Sequence, residues 1–254
     1  MKQVTTCVIP AAGLGTRWAP ISNYYPKEMI LFGDKLVIQE IIEELIKNGF
    51  KRVVIVISED KPLLKRFLRE EPDINSQIEV EFVYQNEPLG LAHAILQTEQ
   101  IISDEYFAVI FPDMPSTKNS QILNQLEDEL SKVSNLLALL AVARYPDNNQ
   151  LAYSRCLGEV NSAGLLEIEG FSNDPVEGGL TIAGRYFLSK RIFPIIREKL
   201  ENSDNSSEVN DTAIFQAGIN KGEKVWAKEV DQFIFDTGTP ANYLQAMAKL
   251  AQLR

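Results

Sequence analysis

A glycine-rich turn with two cations close behind it is the first feature of this sequence that could do chemistry. Ala11-Ala12-Gly13-Leu14-Gly15-Thr16-Arg17 closes an apolar run, and Pro26-Lys27-Glu28-Met29 follows it. Glycines directly after a strand let backbone N–H groups approach phosphate oxygens. Arg17 and Lys27 would add local positive charge to a chain of formal net charge -10. The third glycine of a dinucleotide fingerprint is missing and there is no GK[ST], so neither of those phosphate loops is present. A plain tight turn with two solvated cations is the alternative. Two carboxylates add a second element. Asp113 ends the run VIFPD and Asp236 ends FIFD, both past the C-terminal end of a strand-like segment. α/β sheets place ligands there, and carboxylates suit Mg²⁺ bound through one or two of them plus substrate phosphates. Each Asp could instead be a turn or helix-capping residue.

Composition narrows the chemistry. The chain has 254 residues, with 25 Lys+Arg against 35 Asp+Glu and 45% hydrophobic residues. Without basic clusters, a nucleic-acid partner is not expected. No apolar window reaches the roughly 18 residues of a membrane span, and MKQVTTCVIPAAG enters a strand-like run at once, so we expect a soluble cytoplasmic protein. Cys7 and Cys156 provide no disulfide framework, and His93, the single histidine, provides no His-based metal site or Ser-His-Asp triad.

The elements that must hold these residues alternate strand and helix. Strand-like runs cover Val4 to Ala12, Arg52 to Ser58, Ile78 to Gln85, Tyr106 to Asp113 and Leu136 to Tyr145. Helical patterns lie between them at Leu36 to Asn48, Pro62 to Arg69, Leu91 to Ile102 and Ser120 to Val133. This is the pattern of an α/β fold with a largely parallel sheet. LGEVN and LLEIEG flank Ser162-Ala163-Gly164 as a hairpin, and LTIAGRYFLS, a helix from Arg191 to Leu200, a polar loop from Glu201 to Glu208, a helix from Asp211 to Asn220, strands VWAKEV and FIFDTG, and a helix from Pro240 to Leu253 follow. We read residues 1–254 as one domain. Residues 1–145 form a first half built around the glycine turn, and 146–254 add an antiparallel substrate-binding portion carrying the second carboxylate.

VIPAAGLGTRWAPISNYYPKEMI resembles the signature of the sugar-1-phosphate nucleotidyltransferases, and P-K-E-M resembles their uridylyltransferase branch. QNEPLGLAHA and DTGTP-x-x-Y-x-x-A are similar to the family's base-binding and second metal-ligand stretches. The resemblance implies a Rossmann-like, glycosyltransferase-A-like mixed sheet flanked by helices. It also implies transfer of a nucleoside monophosphate from an NTP (UTP in that branch) to a sugar-1-phosphate (glucose-1-phosphate in that branch), with release of pyrophosphate. By the same resemblance Ala12, Gly13, Leu14, Gly15, Thr16, Arg17 and Lys27 bind the triphosphate, Gln85 and Gly90 read the base, and Asp113 and Asp236 hold Mg²⁺. Gly158, Glu169 and Gly184 match the sugar-binding positions, and a homo-oligomer is common in the family. Arg17, Lys27 and Asp113 are the expected catalytic residues. His93 lies in the base-binding stretch, where a packed helix residue is the plainer reading.

The acceptor half departs from the family pattern. A Lys that would follow Glu169 is replaced by Gly170, Tyr153 precedes Ser154 where a glycine is expected, and Ser207 to Asp211 is a shortened stretch. A different phosphate acceptor, or a weakly catalytic nucleotide-sugar-binding regulatory protein, is therefore the alternative function.

Overall fold

The computed structural model of the chain describes residues 4–117, 120–144, 154–174, 179–203, 208–231 and 234–253. Tyr145, Tyr153, Ser207 and Phe233, each part of an expectation above, lie outside the described residues.

The first half builds a parallel sheet. Strands β1 (Thr6–Pro10), β4 (Arg52–Ile57) and β5 (Glu79–Tyr84) pair in parallel, as does β6 (Tyr106–Ile110) with β1. β4 is buried almost throughout, as its β-branched run on both faces requires. A small hairpin, β2 (Leu31–Phe32) with β3 (Lys35–Leu36), stands apart from the main sheet. Helix α1 (Val37–Lys47) follows, then α2 (Pro62–Glu70) with proline in its first turn, α3 (Pro72–Asn75), α4 (Gly90–Leu96) and α5 (Ile122–Leu130). α4 is shorter than the spacing suggested. After Leu96 the bonds change to i→i+3, with Thr98 N–H donating to Ile95 O and Ile101 N–H to Thr98 O, so the chain continues as turns.

The second half threads into the same sheet. β7 (Leu136–Arg144), β8 (Arg155–Val160), β9 (Leu165–Ser172), β10 (Leu180–Ser189) and β11 (Lys224–Glu229) complete the order β5-β4-β1-β6-β10-β7-β11-β9-β8. β10 lies antiparallel between β6 and β7, and β8 and β9 form the expected antiparallel hairpin. α6 (Ile192–Glu201), α7 (Asp211–Asn220) and α8 (Pro240–Leu253) are the remaining helices. The described part of FIFDTG, residues 234–238, is not a strand. Ile234 makes a single bridge to Ser116, and the segment is held instead by Phe235 N–H to Pro115 O and Thr237 N–H to Asp113 O.

Alternating strand residues feed two cores, one on each face. Ile9, Val53 and Ile55 pack with Ile41 and Leu45 of α1 and Leu64 of α2. Val8, Val54 and Val56 pack with Ile95 of α4, Phe193 of α6 and Phe215 of α7. The sheet is thus sandwiched between helices. β1 and β6 end side by side, and their C-terminal loops carry the glycine turn and Asp113.

Candidate active site

Four segments converge on Asp113. After β1 the chain passes through Gly13 and Gly15 into a short 3-10 turn over Thr16–Trp18. Trp18 anchors that turn: its Nε1–H donates to Thr237 O at 3.0 Å, and its ring meets Tyr243 of α8 edge-on at 5.5 Å. Thr237 in turn donates to Asp113 O through both its N–H and its Oγ1, each at 2.8 Å. The loop bearing Arg17, the strand end bearing Asp113 and the segment bearing Asp236 are therefore tied together through Thr237.

Lys27 completes the cluster, with Nζ 2.5 Å from Asp113 Oδ2 and both side chains largely shielded from solvent. Burial alone would raise the Asp113 carboxyl, but the Lys27 ammonium and then Arg17 hold it below its ordinary value. Burial alone would lower Lys27, and Asp113 with Glu28 outweighs it and raises the lysine. Asp236 behaves oppositely. Burial raises its carboxyl, and Asp113 adds to that, against bonds from Gly238 N–H at 2.6 Å and Asn242 Nδ2 at 2.5 Å. A Cβ placed on Gly238 would lie 3.0 Å from Asp236 Oδ1, 3.2 Å from Asp113 Oδ2 and 3.8 Å from the Arg17 guanidinium. Both carboxylates and the arginine thus face one small space over Gly238.

Two cavities meet there. One, of about 320 Å³, is lined by Ala12 to Arg17, Lys27, Gln85, Gly90, Asp113 and Gly238. The other, of about 380 Å³, is lined by residues including Asp113, Asp236, Ser154, Asn210, Asp211 and Asn242. Arg17, Phe111 and Asp113 line both. The first cavity gathers the residues expected for the triphosphate and base. In it, buried Gln85 donates from Nε2 to Gly90 O at 3.1 Å.

The expected acceptor residues lie elsewhere. Glu169 is exposed at a bulge, because the β8–β9 register passes from Leu157–Gly170 to Gly158–Ile168. A Cβ on Gly158 would stand 1.8 Å from Glu167 O, so that glycine permits the bulge. Neither residue lines the second cavity. Gly184 supports the cavity from behind. At φ +66° it interrupts the β10–β7 register, and its carbonyl accepts from Phe111 N–H at 2.9 Å, which brings β10 close under the Asp113 segment.

Several functional residues were not singled out from the sequence. Lys61, at the N-cap of α2 beyond the end of β4, donates to Ala11 O at 2.7 Å and to Glu28 Oε1 at 2.8 Å. It fixes the base of the glycine turn to the P-K-E-M segment, and burial lowers its ammonium. Asn242, in the first turn of α8 and within the DTGTP-x-x-Y stretch, donates to Asp236 Oδ2. Asp211 sits at the start of α7 behind the cap Asn210, accepts from Thr212 N–H at 2.8 Å, and is pushed up to about 6 by burial. Buried Cys7 and Cys156 are both raised, Cys156 to about 12, so neither is a reactive thiolate.

This fold, with a glycine turn and paired carboxylates where two cavities meet, is that of a nucleotide-transferring enzyme. The nucleotidyl transferase family model matches residues 6–253, and the chain belongs to that family. UTP–glucose-1-phosphate uridylyltransferase of Bacillus subtilis is 27% identical over 274 aligned positions, covering 99% of this chain and 92% of that protein. The enzyme of the same name from Staphylococcus epidermidis is 26% identical, with coverage of 99% and 93%. A UDP-glucose pyrophosphorylase solved in complex with UDP-glucose superposes with a TM-score of 0.85 at 27% identity, covering 99% of this chain and 100% of that one. No helix among the described residues is long and apolar enough to cross a membrane.

Proposed function

We propose that the protein transfers UMP from UTP to glucose-1-phosphate in the cytoplasm and releases pyrophosphate. The observation that carries this reading is the meeting of the two cavities at Asp113 and Arg17, with Asp236 beside them. The base and triphosphate would occupy the first cavity and the acceptor the second, so that the α-phosphate lies at their junction. Likeness to relatives named for this activity supports the choice of substrates.

The nucleophile is a phosphate oxygen that is already anionic, so no side chain needs to remove a proton. Catalysis is then positioning and charge neutralisation. Backbone N–H groups of Gly13 to Arg17 and the Arg17 guanidinium would hold the leaving pyrophosphate. Lys27 would keep Asp113 ionised and oriented. Mg²⁺ fits the space over Gly238, because Asp113 and Asp236 offer it two hard oxygen ligands and leave the rest of its shell to substrate phosphates. Bound there, it would neutralise phosphate charge and orient the two substrates.

One observation favours a second reading of the acceptor. The lining of the acceptor cavity contains three Asp and only Arg17 as a cation among the described residues. That lining offers the phosphate of glucose-1-phosphate few cationic partners, so a different phosphate acceptor is the second reading. Pyrophosphate release with each NTP against a panel of sugar-1-phosphates and other organic phosphates decides between them. Turnover confined to UTP with glucose-1-phosphate supports the first reading, and turnover only with another acceptor supports the second. Nucleotide binding without any turnover refutes both.

A further inference from the structure

His93 plays no part in the chemistry above, yet both of its ring nitrogens are engaged. It lies in the middle of α4, with Nδ1 3.0 Å from Gln85 Nε2 and Nε2 3.0 Å from the Gln97 amide nitrogen. Gln85 Nε2 also donates to Gly90 O. A primary amide nitrogen has two hydrogens. The Gly90 carbonyl takes one, which fixes the orientation of the amide, and the second then points at His93 Nδ1. Nδ1 can accept it only in the tautomer protonated at Nε2, which calls for the Gln97 amide to present its oxygen to that proton and to give up the longer 3.3 Å contact from Gln97 Nε2 to His93 O.

Both Gln85 hydrogens are therefore engaged within the protein. The amide has only Oε1 left for a ligand, and Oε1 can only accept. We propose that His93 is a positioning residue that sets base selectivity, holding the Gln85 amide so that its oxygen meets the base. This inference rests on the reading that Gln85 faces the base. Uracil and thymine carry a donor at N3, which such an oxygen accepts. Cytosine carries a lone pair at N3, which would face another lone pair. A free amide could turn through a half-rotation and offer cytosine an N–H; turning the held Gln85 amide would set its oxygen against the Gly90 carbonyl and force His93 into the other tautomer. Selectivity of this kind comes from rejecting the wrong partner as well as from binding the right one.

The test compares kcat/KM for UTP, dTTP and CTP in pyrophosphate release from the whole enzyme, with CTP measured as a competitor of UTP where it is not turned over. The variants are His93→Leu, His93→Ala, His93→Asn and Gln85→Leu, each checked for an unchanged thermal transition. Asn can accept from Gln85 through Oδ1 near the position of Nδ1, whereas Leu and Ala cannot. The UTP:CTP ratio is expected to fall about tenfold or more in His93→Leu, the scale of one mismatched buried polar contact, and to stay within about threefold of wild type in His93→Asn. The dTTP:UTP ratio should be unchanged, since both bases present the same N3–H, and KM should carry more of the effect than kcat. Should His93→Leu fail to fold, His93→Ala poses the same question. An equal loss for all three nucleotides, an unchanged UTP:CTP ratio, or a wild type without preference for UTP over CTP overturns the inference. If Gln85→Leu lowers the ratio while His93→Leu does not, only the role of His93 falls; if Gln85→Leu also leaves it unchanged, the base-reading assignment falls with it.

Discussion

Thr237 accepts from Trp18 Nε1 through its carbonyl and donates twice to the carbonyl of Asp113, so one residue joins the glycine turn to both carboxylate segments. The site is preorganised by backbone contacts, and its charged groups add to a frame that is already fixed. That division decides which substitutions should affect chemistry and which should affect folding.

Lys27→Met removes the ammonium beside Asp113 without changing the backbone frame. We expect kcat to fall about 10²–10³-fold, the scale of one well-placed electrostatic contact. Asp113 loses the partner that holds its carboxyl low, so the acid limb of the pH–rate profile should move to higher pH. Steady-state kinetics across pH check both, and an unmoved limb would show that Lys27 does not control Asp113.

Gly238→Ala places a methyl group between Asp236 Oδ1 and Asp113 Oδ2. The backbone at Gly238 is not in the left-handed region, so the thermal transition should barely move. Activity should fall about 100-fold, because displacing a reacting group by about 1 Å has that effect. Assay and thermal melt together separate the intended effect from unfolding.

Lys61 and Glu28 form a buried pair, at 8% and 0% side-chain exposure. Lys61→Met alone leaves the Glu28 carboxylate buried without its counter-charge and should destabilise the fold by about 3–5 kcal/mol in urea titration. The double variant Lys61→Met/Glu28→Leu should recover most of that loss, because it also removes the stranded charge.

Asp211 gives a stability prediction with a defined pH window. Its carboxyl is raised from 3.8 to about 6 in the folded chain, by burial first. Between those values the unfolded chain has released the proton and the folded chain keeps it, so stability falls as pH rises through the window and then levels off. Asp211→Asn removes this penalty. It should raise the melting temperature at pH 7, by the equivalent of about 3 kcal/mol at most, and leave it nearly unchanged near pH 4. An equal effect at both pH values would contradict the burial of a titrating Asp211.

Much of this was legible in the sequence, for local reasons. The β-branched run Arg52 to Ser58 and the i, i+3, i+4 pattern from Leu36 to Asn48 gave β4 and α1 almost to the residue. Asp113 stood out because a carboxylate just beyond an apolar strand lies where α/β sheets place ligands, and it lines both cavities. FIFDTG misled because its apolar residues match a strand, whereas Phe235 and Thr237 bond to a loop and not to a neighbouring strand. Lys61 was hidden because its partners, Ala11 and Glu28, are distant in sequence, and no periodicity encodes such a contact. Glu169 shows the converse: a motif position can be read from sequence, but whether it lines a cavity depends on the register between two strands.

The central claim is that the paired cavities join UTP to glucose-1-phosphate at Asp113. The most direct measurement is mass-spectrometric detection of UDP-glucose formed from UTP, glucose-1-phosphate and Mg²⁺ by the wild type and by Asp113→Asn. The account predicts stoichiometric UDP-glucose and pyrophosphate from the wild type, and a loss of at least about 100-fold in the variant. No UDP-glucose from a folded wild-type protein that binds UTP, or undiminished formation by Asp113→Asn, would contradict it.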